Sequence, residues 1–199
     1  RFDRTNGPIA APWGGQTAGL AVDSGKLVQA TGSYISPVWT GAEYGPDQQA
    51  YVKLSAITAA SPEQDIMLKI QGTSWNAGHI KAVYDARFGM AQVMSYAPAT
   101  GWKQHGPPIP VTMNAGDQFG ARAFADGTVE LYRNGARFGT ATVTGWPYLA
   151  NGGRIGLMLA NAGQSRLDDF GGGTIVIRTN SRPRAVIVAP LDRSFYAEG

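Results

Sequence analysis

The chain has 199 residues, 43% of them hydrophobic and 16% charged, and its 17 Lys and Arg against 14 Asp and Glu leave a net charge of +3. This composition excludes an intrinsically disordered chain and a strongly basic nucleic-acid binder, and the absence of cysteine excludes a disulfide framework and thiolate metal centres. The 27 glycines and 12 prolines are scattered, which suits many short strands joined by turns.

The chain opens at Arg1-Phe2-Asp3 and is expected to be a processed or excised segment. A first strand is expected over residues 1–4, then a loop that Trp13 pins to the body. Residues 20–28 and 34–39 predict short strands around Gly25 and Gly32, and residues 41–49 a loop. Residues 50–57 alternate, with Val52, Leu54 and Ala56 inward. Ser61-Pro62-Glu63-Gln64 reads as one helical turn capped by Ser61. In the strand predicted over residues 66–71, Ile66, Leu68 and Ile70 share one face, and Met67, Lys69 and Gln71 the other. Residues 72–78 form a loop carrying Trp75. Residues 79–86 and 91–96 predict a hairpin, and residues 98–110 a long irregular loop holding Trp102 and His105.

Residues 116–143 predict a three-stranded meander. Asp126-Gly127 and Asn134-Gly135 are read as two-residue hairpin turns, which need positive φ at both positions. That register sets Phe124 opposite Val129 and Leu131 opposite Phe138 on the core side. Ala123, Glu130, Tyr132 and Arg137 then face away. Arg122 falls on the core side, either at the core margin or displaced by a bulge. Strands follow at 153–160, 166–170 and 174–179, with a turn at Trp146-Pro147-Tyr148. Strands at this spacing, without βαβ alternation or repeats, predict a sandwich or jelly roll. Arg178, Arg182 and Arg184 are read as part of a solvated linker. No apolar run approaches the roughly 20 residues that cross a bilayer, so no membrane insertion is expected.

Several segments together resemble the concanavalin A-like (laminin G-like) jelly-roll superfamily. They are Phe2-Asp3-Arg4 with Trp13, Gly116-Asp117, Asp126-Gly127, Tyr132-Arg133-Asn134-Gly135, Gly153-Arg154-Ile155-Gly156-Leu157 and Leu167-Asp168-Asp169-Phe170-Gly171. The resemblance covers residues 2–177. It implies an all-β, two-sheet antiparallel jelly-roll sandwich over residues 1–179, with an extended tail over 180–199. Residues 185–199 resemble the opening of bacterial immunoglobulin-like modules. Such a fragment is expected to be loose, to fold back, or to add a strand to another chain. The superfamily includes lectins, carbohydrate-binding modules, adhesion domains and glycoside hydrolases, so fold alone does not choose a function. It also implies a structural Ca²⁺ near the terminal strands, for which Asp3, Asp168 and Asp169 are the candidate ligands. Asp168 and Asp169 are adjacent and point to opposite faces unless a bulge intervenes, and hydrogen bonding to loop amides is the competing role.

Hydrolases of the superfamily carry Glu-x-Asp-x-x-Glu on one strand, and no such motif is found; Glu130 has no second carboxylate two or four residues away. His79 and His105 are read as surface histidines. A non-catalytic module is therefore expected. Glycan recognition would rest on aromatic rings with nearby amides, which selects Trp75, Asn76, Trp102, Gln71 and Tyr132. The expected role is a carbohydrate-binding or adhesion module of a larger secreted or cell-surface protein, bacterial by resemblance, with glycan as partner and no nucleic acid. The alternative is a subunit of a surface fibre that joins neighbouring copies through its tail.

Overall fold

The structure, a computed structural model, describes residues 2–176. The sequence-predicted tail over 180–199, and the end of the strand predicted over 174–179, lie outside the described residues. The described chain is all-β apart from one 3₁₀ turn, Trp75–Ala77. Its strands are β1 (Gly7–Pro8), β2 (Trp13–Gly15), β3 (Leu20–Asp23), β4 (Lys26–Gln29), β5 (Tyr34–Ile35), β6 (Pro37–Trp39), β7 (Gln48–Ala56), β8 (Glu63–Ile70), β9 (His79–Asp85), β10 (Met90–Ala97), β11 (Gly101–Gln104) and β12 (Ile109–Pro110), followed by β13 (Gln118–Ala123), β14 (Thr128–Arg133), β15 (Ala136–Thr142), β16 (Arg154–Ala160) and β17 (Arg166–Thr174).

Two antiparallel sheets face each other. The first runs β1-β3-β4-β17-β7-β13-β14-β15, and the second β11-β10-β9-β8-β16-β6-β2, with β12 beside β10 and β5 beside β16. Apolar residues at every second position explain the layering: Val52, Leu54, Phe119, Ala121, Val129 and Leu131 of the first sheet meet Ile66, Leu68, Ile80, Ala82, Val93 and Leu157 of the second in one core. The jelly-roll sandwich expected from the sequence is the fold observed.

The differences lie where one residue shifts a pattern. In the first meander turn only Gly127 has positive φ (+90°), and Phe124 N–H donates to the Thr128 carbonyl. The loop therefore has three residues rather than two, with Gly127 as the left-handed bulge position. Ala123 pairs with Val129 and Arg122 with Glu130. Phe119, Ala121 and Ala123 point into the core, and Phe124 is only half-buried. The bulge resolves the Arg122 conflict by moving Arg122 to the outer face. The second turn is the expected mirror-image type, with φ of +52° at Asn134 and +78° at Gly135. A bulge beyond it sets Leu131 opposite Gly139, not Phe138.

Residues 61–64 are not helical. Glu63 starts β8, and Gln64 instead donates its amide to the Ser61 carbonyl, at 2.5 Å. Lys69 has φ of +51°, which inverts the alternation. Ile70 therefore joins Met67 and leaves Ile66 and Leu68 in the main core. No strand forms at Phe2–Arg4, and residues 98–110 are not all loop, because β11 pairs there with β10.

Candidate functional site

The outer face of the second sheet carries a groove of about 580 Å³. On β9 the inward residues Ile80, Ala82 and Tyr84 belong to the core, so His79, Lys81, Val83 and Asp85 point outward. These four are nevertheless buried as well. The strand is covered on both sides because the groove walls rise above it.

One wall is aromatic. Tyr96 pairs with His79 on one side and Trp102 on the other, so three strands present three rings in one row. Trp75, in the 3₁₀ turn, stacks on Trp102 with centroids 5.9 Å apart and planes 14° from parallel, and lies 5.1 Å from Tyr96. His79 holds that turn. Its Nδ1 lies 2.8 Å from the Trp75 carbonyl, which can only accept, so Nδ1 carries the proton. Burial pushes the His79 imidazole down to about 4, and it stays neutral. Gly78, at φ +120°, allows close packing on Tyr148: an added Cβ would lie 2.8 Å from that ring. Trp102 remains 41% exposed and forms the open part of the wall.

Deeper in the groove lies a charged cluster. Lys81 Nζ is 2.9 Å from Asp65 Oδ2, 3.8 Å from Glu63 Oε2 and 5.0 Å from the centre of the Trp102 ring. The Asp65 side chain is fully buried, and burial pushes its carboxyl up to about 7 against the pull of the Lys81 ammonium. Burial works against the Lys81 charge too, but Asp65 and Glu63 together hold it above the usual lysine value. Asp85, opposite Glu63 on the neighbouring strand, also lines the groove and forms an ion pair with Arg87 at 2.9 Å.

Of the residues selected from the sequence, the fold brings Trp75 and Trp102 together, with Asn76 exposed in the same turn. Gln71 stands apart. Its amide donates to the carbonyls of Lys69 (2.7 Å) and Gly152 (2.9 Å) and accepts from Asn151 (3.1 Å), beside a separate depression. Tyr132 lies on the outer face of the other sheet, 4.7 Å from the Arg122 guanidinium and donating to Glu130. Glu130 also pairs with Arg137 at 2.6 Å, as a surface strand residue does.

His79 and His105 are both buried, contrary to the surface assignment. His105 accepts from the Thr144 N–H at Nδ1 (3.4 Å), so its Nε2 donates to Ser95 Oγ (2.8 Å). Sequence reasoning missed Lys81, Asp65 and Glu63. The signal was present as Glu63-Gln-Asp65, two carboxylates at strand spacing, but it was hidden by the helical assignment of residues 61–64.

Of the three acidic residues considered for calcium, Asp168 forms an ion pair with Lys26. Its ammonium is 2.7 Å from Asp168 Oδ2, and its charge is favoured first by Asp168 and further by Asp3 and Asp169. Asp169 has φ of +46°, in the bulge between Asp168 and Gly171, and its N–H donates to Asp168 Oδ1. A lysine ammonium within this set does not fit a divalent cation. Among the described residues no group of three His, Asp or Glu is arranged to hold a metal.

No protein-family model matches the chain, and no curated protein matches it in sequence. Solved structures do match. A legume lectin-like domain from Entamoeba histolytica aligns over 82% of this chain and 89% of its own, with TM-score 0.55 and 11% identity. A carbohydrate-binding module, CBM66, from Bacillus subtilis aligns over 84% and 94%, with TM-score 0.52 and 9% identity. A structure described with endo-acting O-glycanases of the human gut microbiota that initiate mucin breakdown aligns over 88% and 97%, with TM-score 0.56 and 9% identity. At such identities the likeness concerns the fold: this chain is a jelly-roll sandwich built like lectin-like domains and carbohydrate-binding modules.

Proposed function

We propose that the groove on the second sheet binds glycan and does not cleave it. The observation that carries this reading is the Trp75–Trp102 wall, open at Trp102 and facing charged and amide side chains across the groove. Pyranose rings stack their C–H faces on such rings, while Gln92, Glu63 and Lys81 are of the type that bonds hydroxyl groups. The neighbours named for lectin-like and carbohydrate-binding folds support the same reading.

The case against cleavage rests on burial. Retaining hydrolysis needs two carboxyl groups about 5 Å apart, flanking the scissile bond. Glu63 and Asp65 both line this side of β8, but Asp65 has no exposed side-chain surface and lies against Lys81. A sugar oxygen reaches Glu63 and not Asp65, and Asp85, the register partner of Glu63, has both its oxygens held by Arg87. Placement within a larger secreted or surface protein belongs to the same proposal, because such modules meet glycans outside the cell.

Glycan-array screening followed by calorimetry tests the site. Trp102→Ala and Trp75→Ala each weaken binding about tenfold to a hundredfold, as removal of a central aromatic contact does, while Tyr132→Phe leaves it unchanged. Full binding in both Trp variants would overturn the assignment. Sugar release that Glu63→Gln abolishes would overturn the non-catalytic reading.

A further inference from the structure

Most of the groove floor is not built for hydroxyl groups. Past the aromatic wall its apolar lining is Met94, Val83 and Met158, and Met158 packs with Val38, Met67 and Ile70 in a second buried apolar cluster. The chain has five methionines, and four of them are on this face: Met67, Met94 and Met158, with Met90 at its end opposite Asp85. The apolar character continues on the rim. Tyr34 and Trp102, which both line the groove, are 67% and 41% exposed. Exposed large apolar side chains gathered around one depression mark a contact surface for apolar matter.

Of the polar groups beside that floor, Lys81 is drawn to Asp65, Glu63 and the Met158 sulfur (3.5 Å) and Asp85 to Arg87, while Gln16, Ser36 and Gln92 line the groove around them. A peptide laid here would bring an N–H and a C=O per residue that methionine and valine side chains cannot satisfy. An alkyl chain brings none, and unbranched thioethers adapt to it. The seven residues of β9, His79–Asp85, give the floor a length of about 20 Å. That accommodates a sugar ring at the tryptophans and a hydrocarbon chain behind it.

We propose that the ligand is a glycoside with an alkyl or acyl aglycone, the sugar on Trp75 and Trp102 and the chain along Met94, Val83 and Met158. This rests on the glycan-binding reading above and names the ligand class within it. The polar head and apolar tail match the two halves of one continuous groove.

The test titrates the protein with gluco-, galacto- and mannopyranosides, each as methyl and as n-octyl glycoside below its micelle concentration, with an octyl oligo(ethylene glycol) as the sugar-free chain. Each fully buried methylene strengthens binding about fourfold, so in an open groove the octyl form of at least one sugar binds more than about tenfold tighter than its methyl form. Met94→Gln removes most of that increment, so the octyl-to-methyl affinity ratio falls towards one. Trp102→Ala weakens both. Equal binding of methyl and octyl forms overturns the inference and leaves the glycan site standing. Equal binding of the octyl glycoside and the sugar-free chain, insensitive to Trp102→Ala, overturns both. Binding of no probe also overturns both. Should Met94→Gln fail to fold, the methyl-against-octyl comparison on the wild-type chain decides alone.

Discussion

Asp65 and His79 lie on neighbouring strands of the groove, and burial moves them in opposite directions on the pH scale. Asp65 titrates near 7 in the folded chain against 3.8 in the reference state. The folded state therefore holds an extra proton between those values, and this contribution to stability is present at the acid side and is lost as pH rises from 4 to 7. His79 titrates near 4 against 6.5. Its contribution is present above 6.5 and is lost as pH falls towards 4. The two slopes oppose each other. Asparagine at position 65 mimics the protonated carboxyl at every pH, so Asp65→Asn gains on the wild type by about 1.4 kcal/mol per pH unit between roughly 4 and 7. Urea unfolding of both proteins at pH 4, 5.5 and 7 measures this, and taking the difference cancels the other carboxylates. A constant difference across the window would mean that Lys81 keeps Asp65 ionised throughout.

At the scale of the element, alternation and turn residues made most strands legible: β7, the β9–β10 hairpin and the three meander strands follow directly from period-two patterns. What escaped were single backbone states. Asp126-Gly127 and Asn134-Gly135 read alike in sequence, yet only Asn134 enters the left-handed region, and the two hairpins differ by one residue of loop. Lys69 offers no sequence signal for positive φ. It is held there by tertiary bonds, its Nζ donating to the carbonyls of Phe124 (3.0 Å) and Leu149 (2.5 Å) and its N–H to Gln48 Oε1 (2.8 Å). Helix capping at Ser61 was a local preference overridden by the pairing of Glu63 with Ala160 and Asp85. The two turns make a paired prediction. Gly127 has φ of +90°, and a Cβ would lie 2.5 Å from the Val143 carbonyl oxygen. Gly135 has φ of +78° and open space around it. Gly127→Ala thus destabilises by about 3 kcal/mol and Gly135→Ala by about 1 kcal/mol. Chemical denaturation of the two variants checks this, and equal losses would mean that the first loop relaxes to a two-residue turn.

For the whole molecule, the sandwich was legible and the groove was not. The core is written into each strand, since inward residues recur every second position. The groove is assembled from β8, β9, β10, β11 and β16 with the Trp75 turn, and no one segment announces it. Trp75 and Trp102 were selected because exposed-looking tryptophans in polar surroundings are chemically conspicuous. The Lys81 cluster was not, because the helical assignment of residues 61–64 hid Glu63 and Asp65, and the methionine floor was not, because apolar side chains on strands read as core. The sandwich also predicts how much chain it needs. β17 lies between β7 and β4, pairs with β7 as far as Thr174, and Ile175 N–H donates to the Asp47 carbonyl. The two sheets, the core and the groove as described are built from residues 2–176. A chain ending at Val176 should therefore melt within a few degrees of the full chain and, on the proposed glycan-binding reading, bind the same glycans with the same affinity, measured by calorimetry on the two proteins side by side. A large drop in melting temperature would place part of the cooperative fold in residues 177–199. Unchanged melting with lost binding would place part of the ligand site there, and the groove as described would be incomplete.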